Sequence, residues 1–236
     1  MATVDKHKVL TEGVLKVTGR LVDASNATLY ATSTLNEQEI VCIYKPIAGE
    51  RPLWDFPEGS LAYREYAAYL VSQGLGFHIV PLTILRDGPY GSGMVQEWIT
   101  LDESIDLAVF FSSDNPRLRS MALFDAIVNN TDRKIGHLLP ISHDEVYGCD
   151  HGVTFHVEDK LRTVLWQWAD DELTDQELQS LQMAQQLLAG ELGEQLQPFL
   201  TQDEIDAISM RVNRLLSEGR FPLPNPNWPA IPWPAF

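Results

Sequence analysis

Glu39-Ile40-Val41-Cys42-Ile43-Tyr44-Lys45-Pro46 is the stretch on which the fold turns. An apolar run ends on a lysine, and a proline follows at once. The run reads as a strand, and Pro46 stops its ladder because proline has no N–H to donate. Upstream, Gly13 to Thr18 alternates apolar and polar residues, as a half-buried strand does, and Thr28 to Thr32 reads as another strand. The turn-prone Asp23-Ala24-Ser25-Asn26 separates the two. Downstream, residues 47–60 read as a loop. Leu61 to Gln73 reads as a helix with Leu61, Tyr66 or Ala67, Tyr69 and Leu70 on one face, ended by Gly74. Two further strands, Phe77 to Leu85 and Gly93 to Ile99, flank the turn Arg86-Asp87-Gly88-Pro89-Tyr90-Gly91. The order is three strands, one helix, two strands.

The second half reads as mostly helical. Leu118 to Val128 is apolar at helical spacing. Thr174-Asp175-Gln176-Glu177 and Thr201-Gln202-Asp203-Glu204 are capping boxes, and the stripe Ile205, Ile208, Val212, Leu215 follows the second. The prolines of the last stretch, Phe221 to Phe236, impose an extended path. Its Trp228, Ile231, Trp233 and Phe236 either pin it across the second half or offer a docking peptide to a protein partner.

Composition narrows the function. Hydrophobic residues make up 44% of the 236, enough for a real core. The net charge of −16 argues against nucleic acid and anionic membranes as partners. The charge is uneven: Thr163 to Met210 holds ten Asp and Glu and no Lys or Arg. Neither a signal-peptide stretch nor an apolar run of ~18 residues is present, so no membrane span is expected. Two cysteines, Cys42 and Cys149, suggest no disulfide framework, and the expected location is cytoplasmic.

Five features carry candidate chemistry, and each has a bland alternative. The turn containing Ser25 and Asn26 can cradle phosphate with its backbone N–H groups, or simply close a hairpin. Lys45 emerges from a buried strand and needs either a partner or a phosphate, unless it snorkels at an edge. Glu65, early in the next helix, can hold that lysine or merely stabilise the helix N-terminus. Asp132, in Asn129-Asn130-Thr131-Asp132-Arg133-Lys134-Ile135-Gly136-His137-Leu138, can accept a hydroxyl proton or only shape a turn. Asp150, in Gly148-Cys149-Asp150-His151-Gly152, can ligate Mg²⁺ or sit in a hairpin.

Taken together, these stretches resemble a known group. Arg64-Glu65-Tyr66-Ala67-Ala68-Tyr69-Leu70, Ile79-Val80-Pro81-Leu82-Thr83 and Tyr44-Lys45-Pro46 look like segments of type II phosphatidylinositol 4-kinases. Asp132-Arg133-Lys134 and Asp150-His151-Gly152 resemble the catalytic and metal loops of the phosphatidylinositol 3-/4-kinase, HipA-like and Fam20-like kinases. The whole chain resembles a family of small bacterial proteins described only as phosphatidylinositol 3-/4-kinase-like. The resemblance implies an α+β, two-lobed, protein-kinase-like fold. Residues 1–98 would form an N-lobe with the nucleotide-binding sheet and one helix, and 99–236 a helical C-lobe with the catalytic and metal loops and the Pro/Trp-rich tail.

It also implies ATP and Mg²⁺ as cofactors and an unknown protein or small-molecule phosphoacceptor. Lys45 would contact the phosphates and Glu65 would hold it. Gln96, Glu97 and Trp98 would form the adenine-binding hinge. Asp132 would be the catalytic acid or base, and Asp150 would bind metal. One position departs from the pattern: His137 stands where those kinases carry a second metal-binding asparagine. Imidazole is a poor Mg²⁺ ligand. A single metal, Mn²⁺, or nucleotide binding without efficient transfer are the resulting options. Lys134 also replaces the group's histidine. The rival readings are a pseudokinase scaffold and a metal-dependent hydrolase, the latter built on Asp132, His137, His143, Asp144, Cys149, Asp150, His151 and His156.

Overall fold

Alternation along the first half builds the antiparallel strands β1 (Val14–Arg20), β2 (Leu29–Leu35), β3 (Gln38–Pro46), β4 (Thr83–Gly88) and β5 (Gly91–Glu97). They pair in the order β1-β2-β3-β5-β4. The computed structural model describes residues 4–21 and 26–236, so Ser25 lies outside the described residues. β3 runs through the middle of the sheet with Ile40, Cys42, Ile43 and Tyr44 buried. Lys45 pairs with Met94, and Pro46 with Gly93. A Cβ on Gly93 would stand 2.3 Å from the Lys45 carbonyl oxygen, so only glycine lets the two strands approach here.

A short helix, α1 (Lys6–Glu12), precedes the sheet. The sequence reading passed over it. Asp5 caps it by accepting from the Lys8 N–H, and Val9 and Leu10 are buried in the sheet's core. The helix α2 (Leu61–Gly74) lies between β3 and β4. It ends differently from the sequence expectation. Gly74 sits in the last turn against Leu192, and Gly76, with φ +74°, takes the left-handed position. The next strand starts at Thr83 rather than Phe77. The Ser72 hydroxyl accepts from the Ile79 and Val80 N–H groups, tying that segment to the helix instead of the sheet.

The second half carries α3 (Leu107–Phe110), α4 (Pro116–Val128), the hairpin β6 (Leu138–Pro140) and β7 (Val146–Gly148), then α5 (Asp175–Leu188), α6 (Glu191–Leu196) and α7 (Gln202–Glu218). Both capping boxes form: Thr174 and Thr201 accept from the Glu177 and Glu204 N–H groups, and each glutamate reaches back. The fold class is therefore α+β, a five-stranded antiparallel sheet followed by a helical region. Among the described residues no helix is long and apolar enough to cross a membrane.

The apolar side chains form two clusters. One lies against the sheet, around Leu10, Ala31, Cys42, Tyr44 and Val95. The larger one fills the helical half, and Ala67, Ala68 and Val71 of α2 belong to it. The helix thus bridges the sheet to the rest of the chain. The tail is extended, as its prolines require, and is held by the buried Phe221 at its start and by backbone hydrogen bonds near its end. Ala230 and Ala235 carbonyls accept from the Thr163 and Ile135 N–H groups at 3.0 and 2.8 Å. Trp233 and Phe236 remain 89% and 64% exposed, and Ile231 52%, so these three are not the anchors the sequence suggested.

Candidate active site

Lys45 leaves the end of β3 beside the first turns of α2 and the loop after β7. Its Nζ donates to Glu65 Oε1 at 2.6 Å and to Asp150 Oδ1 at 2.7 Å. Burial opposes the charge on Lys45, but Asp150 and Glu65 outweigh it, and the pKa is raised. Lys45 in turn holds the Asp150 carboxyl well below its ordinary range, against the effect of burial. Glu65 moves the other way, upward, because its burial outweighs the neighbouring lysine. Glu65 Oε2 also accepts from the His151 N–H at 2.8 Å, so one glutamate ties the lysine to the Asp150 loop.

Two loops face this cluster. Asp132 follows α4, whose end is set by Asn129 in the left-handed region at φ 52°. Its N–H donates to Asn130 Oδ1, and its carboxylate pairs with Lys134 at 3.3 Å. Burial raises the Asp132 pKa, while the charges of Lys134 and Arg162 pull the other way. Asp150 itself has φ 62°, a conformation that is strained for a residue with a Cβ and that clusters at functional sites. His137 Nε2 lies 3.4 Å from Asp150 Oδ2. Burial lowers the His137 pKa to about 4, so its ring is neutral at pH 7.

Ligand atoms of Asp132, His137 and Asp150 all lie within 4.8 Å of one another. Two carboxylates with a neutral imidazole fit a divalent cation, and the imidazole nitrogen favours Mn²⁺ over Mg²⁺. The other groups of the hydrolase reading do not join them. Among the described residues the cluster contains those three alone. His151 is buried against Arg133, His156 contacts Lys160, and His143 packs on Phe110.

The most deeply buried charges here were missed by the sequence reading. Arg133 and Asp125 are both fully buried and bond twice, at 3.0 and 2.8 Å. Arg133 also donates to the Cys149 carbonyl at 3.1 Å and contacts His151 Nε2 at 2.7 Å. It therefore fastens the Asp132 loop to the Asp150 loop and to α4. A charged Asp125 inside the apolar run Leu123-Phe124-Asp125-Ala126-Ile127 was the available signal.

A cleft of about 520 Å³ opens beside Lys45, Asp132 and Asp150. Asn26 lines it, with its Oδ1 accepting from the Arg51 N–H. The loop after β3 forms one wall, secured by Glu50, which accepts from the Leu61 and Ala62 N–H groups at the start of α2. Trp54, Asp55 and Trp228 line another side, and Lys160 holds them together. Its Nζ bonds Asp55 at 2.9 Å and lies between the Trp54 and Trp228 rings, 4.7 and 5.0 Å from their centroids. Gln96, Glu97 and Trp98 stand apart from the cleft lining. The Glu97 and Trp98 N–H groups already donate to the Leu82 and Val41 carbonyls, and the buried Gln96 side chain bonds Thr83. An adenine contact through those two amides is not available in this arrangement.

Fold and site together define an α+β protein with a lysine clasped by two carboxylates at the edge of a cleft. The chain belongs to the family of the Mycobacterium tuberculosis protein Rv2133c, with which it shares 44% identity over 267 aligned positions, covering 98% of this chain and 96% of that protein. No family model matches it. Among solved structures, a crystal structure of the Helicobacter pylori proinflammatory kinase CtkA is similar at 11% identity and a TM-score of 0.46, over 89% of this chain and 94% of that one.

Proposed function

We propose that the chain is a metal-dependent phosphotransferase that binds ATP in the cleft and passes the γ-phosphoryl group to an acceptor hydroxyl. The observation that carries the reading is the position of Lys45, held by Glu65 and Asp150 and facing the Asp132 loop. A buried cation between two carboxylates that opens on a cleft suits a nucleotide's phosphates. The residues up to 98 and those from 99 on would act as the two lobes.

In this reading Lys45 takes the α- and β-phosphates, and Glu65 keeps it aimed. Asp150 and His137 would hold a divalent cation, which when bound would neutralise charge on the phosphates. Asp132 accepts the acceptor's hydroxyl proton as the new O–P bond forms and the bond to the ADP oxygen breaks. Its raised pKa suits a proton acceptor. Asn26 lies at the rim of the phosphate site. Lys134, paired with Asp132, adds a cation where charge develops. Phosphoryl transfer needs mainly such positioning and charge neutralisation.

A second reading, a nucleotide-binding scaffold with little turnover, is favoured by one feature. Lys45 and His137 already engage both oxygens of Asp150. Incubation with γ-radiolabelled ATP and Mn²⁺ separates the two. Label transferred to a protein or small molecule, and lost in Asp132→Asn, supports the transferase. ATP binding with no transfer under Mg²⁺ or Mn²⁺ supports the scaffold.

A further inference from the structure

Two guanidinium groups, Arg51 and Arg162, line the same cleft, and neither forms an ion pair among the described residues. The Arg162 Nε is buried without a hydrogen-bond partner among those residues. An orphaned, desolvated donor costs free energy unless a ligand satisfies it. Its placement is also fixed. The Arg162 N–H donates to the Asn130 carbonyl at 2.9 Å, and its carbonyl accepts from the Arg133 N–H at 3.1 Å. Residues 130 and 133 flank Asp132, so the backbone fixes Arg162 beside the Asp132 loop, and both residues line the cleft. Arg51 comes from the loop after β3, held by Asn26 Oδ1 on its N–H.

We infer that Arg162 and Arg51 form an oxyanion-binding subsite in the cleft, and that the phosphoacceptor is itself an anion carrying a phosphate or carboxylate near its hydroxyl. The second part rests on the phosphotransferase reading, because Asp132 marks the acceptor's side only if it takes the hydroxyl proton. Lys45, with the cation that Asp150 and His137 would hold, would serve the nucleotide. The arginine beside Asp132 is left for the acceptor. Guanidinium groups grip phosphate and carboxylate oxygens in a paired, planar fashion that fixes orientation.

The test titrates the full chain with O-phosphoserine and with inorganic phosphate by calorimetry, without nucleotide or metal. The variants are Arg162→Gln, Arg162→Lys, Arg51→Gln and Lys45→Met, each checked for an unchanged unfolding transition. The account expects binding that weakens about tenfold or more in Arg162→Gln and in Arg51→Gln, less in Arg162→Lys, and little in Lys45→Met. Arg51 is exposed, so its variant keeps the test valid even if Arg162→Gln folds poorly. No binding of either probe, or binding abolished by Lys45→Met and indifferent to both arginines, overturns the subsite. A parallel ATP–Mn²⁺ titration expects Arg162→Gln to bind nucleotide like the wild type. A loss there as large as in Lys45→Met assigns the arginine to the nucleotide and overturns the acceptor role. Wild type that binds phosphoserine through Arg162 but never binds ATP keeps the subsite and overturns the acceptor role through the phosphotransferase reading alone.

Discussion

Replacing Asp125 by alanine tests the frame of the site more sharply than any surface change. Asp125 is fully buried and is the only carboxylate partner of the equally buried Arg133 among the described residues. Its removal leaves a buried guanidinium with two neutral neighbours, the Cys149 carbonyl and His151. Breaking one side of such a pair costs about 3–5 kcal/mol, a large part of the roughly 5–15 kcal/mol by which domains are stable. At about 2–4 °C per kcal/mol for a chain of this size, the melting temperature should fall by roughly 6–20 °C. Urea denaturation with a double-mutant cycle is the assay. Asp125→Leu combined with Arg133→Met removes both charges and should be far less destabilising than the sum of the single changes. A loss below about 1 kcal/mol in Asp125→Ala, or full additivity in the double mutant, would refute the reasoning.

Three further outcomes follow from the same geometry. His137 has a folded pKa of about 4, below its ordinary 6.5, so the unfolded state takes up a proton first as pH falls. That stability is present above pH 6.5 and lost toward pH 4, and His137→Asn should flatten the pH dependence of melting in this window while shifting metal preference from Mn²⁺ toward Mg²⁺. A Cβ on Gly148 would stand 2.9 Å from Arg133 Nη1, so Gly148→Ala should cost about 1–3 kcal/mol by denaturation. Deleting residues 230–236 removes the Ala230 and Ala235 acceptors from the Thr163 and Ile135 N–H groups, and should loosen the Asp132 loop, seen as faster hydrogen exchange at Ile135 with α7 unchanged.

Local patterns were legible in the sequence, and relations between distant segments were not. The alternation around β1 to β3, the helix after Lys45 and both capping boxes could be read because each depends on neighbours a few residues away. Lys45, Glu65, Asp132, His137 and Asp150 were all singled out, and the fold brings them together. The start of β4 was misplaced because Phe77 to Val80 has strand-like residues but a serine hydroxyl on α2 takes its amides. Glu97 and Trp98 fall in the strand read as Gly93 to Ile99, but only the tertiary pairing shows that their amides are committed to the Leu82 and Val41 carbonyls. Lys160 between two tryptophans and Arg162, unpaired among the described residues, are long-range facts with no local signature, while Asp125 in its apolar run signals a buried charge without showing that Arg133 is its partner.

The central claim is a nucleotide site at Lys45 and Asp150, and a thermal-shift titration with ATP and Mn²⁺ or Mg²⁺ tests it most directly. At about 100 times its dissociation constant a ligand stabilises the native state by about 2.7 kcal/mol, roughly 5–11 °C here. The account predicts a shift of that order in the wild type, dependent on the metal, and lost in Lys45→Met and Asp150→Ala. A wild type unmoved by any nucleotide with either metal, or a shift that survives in both variants, would contradict it.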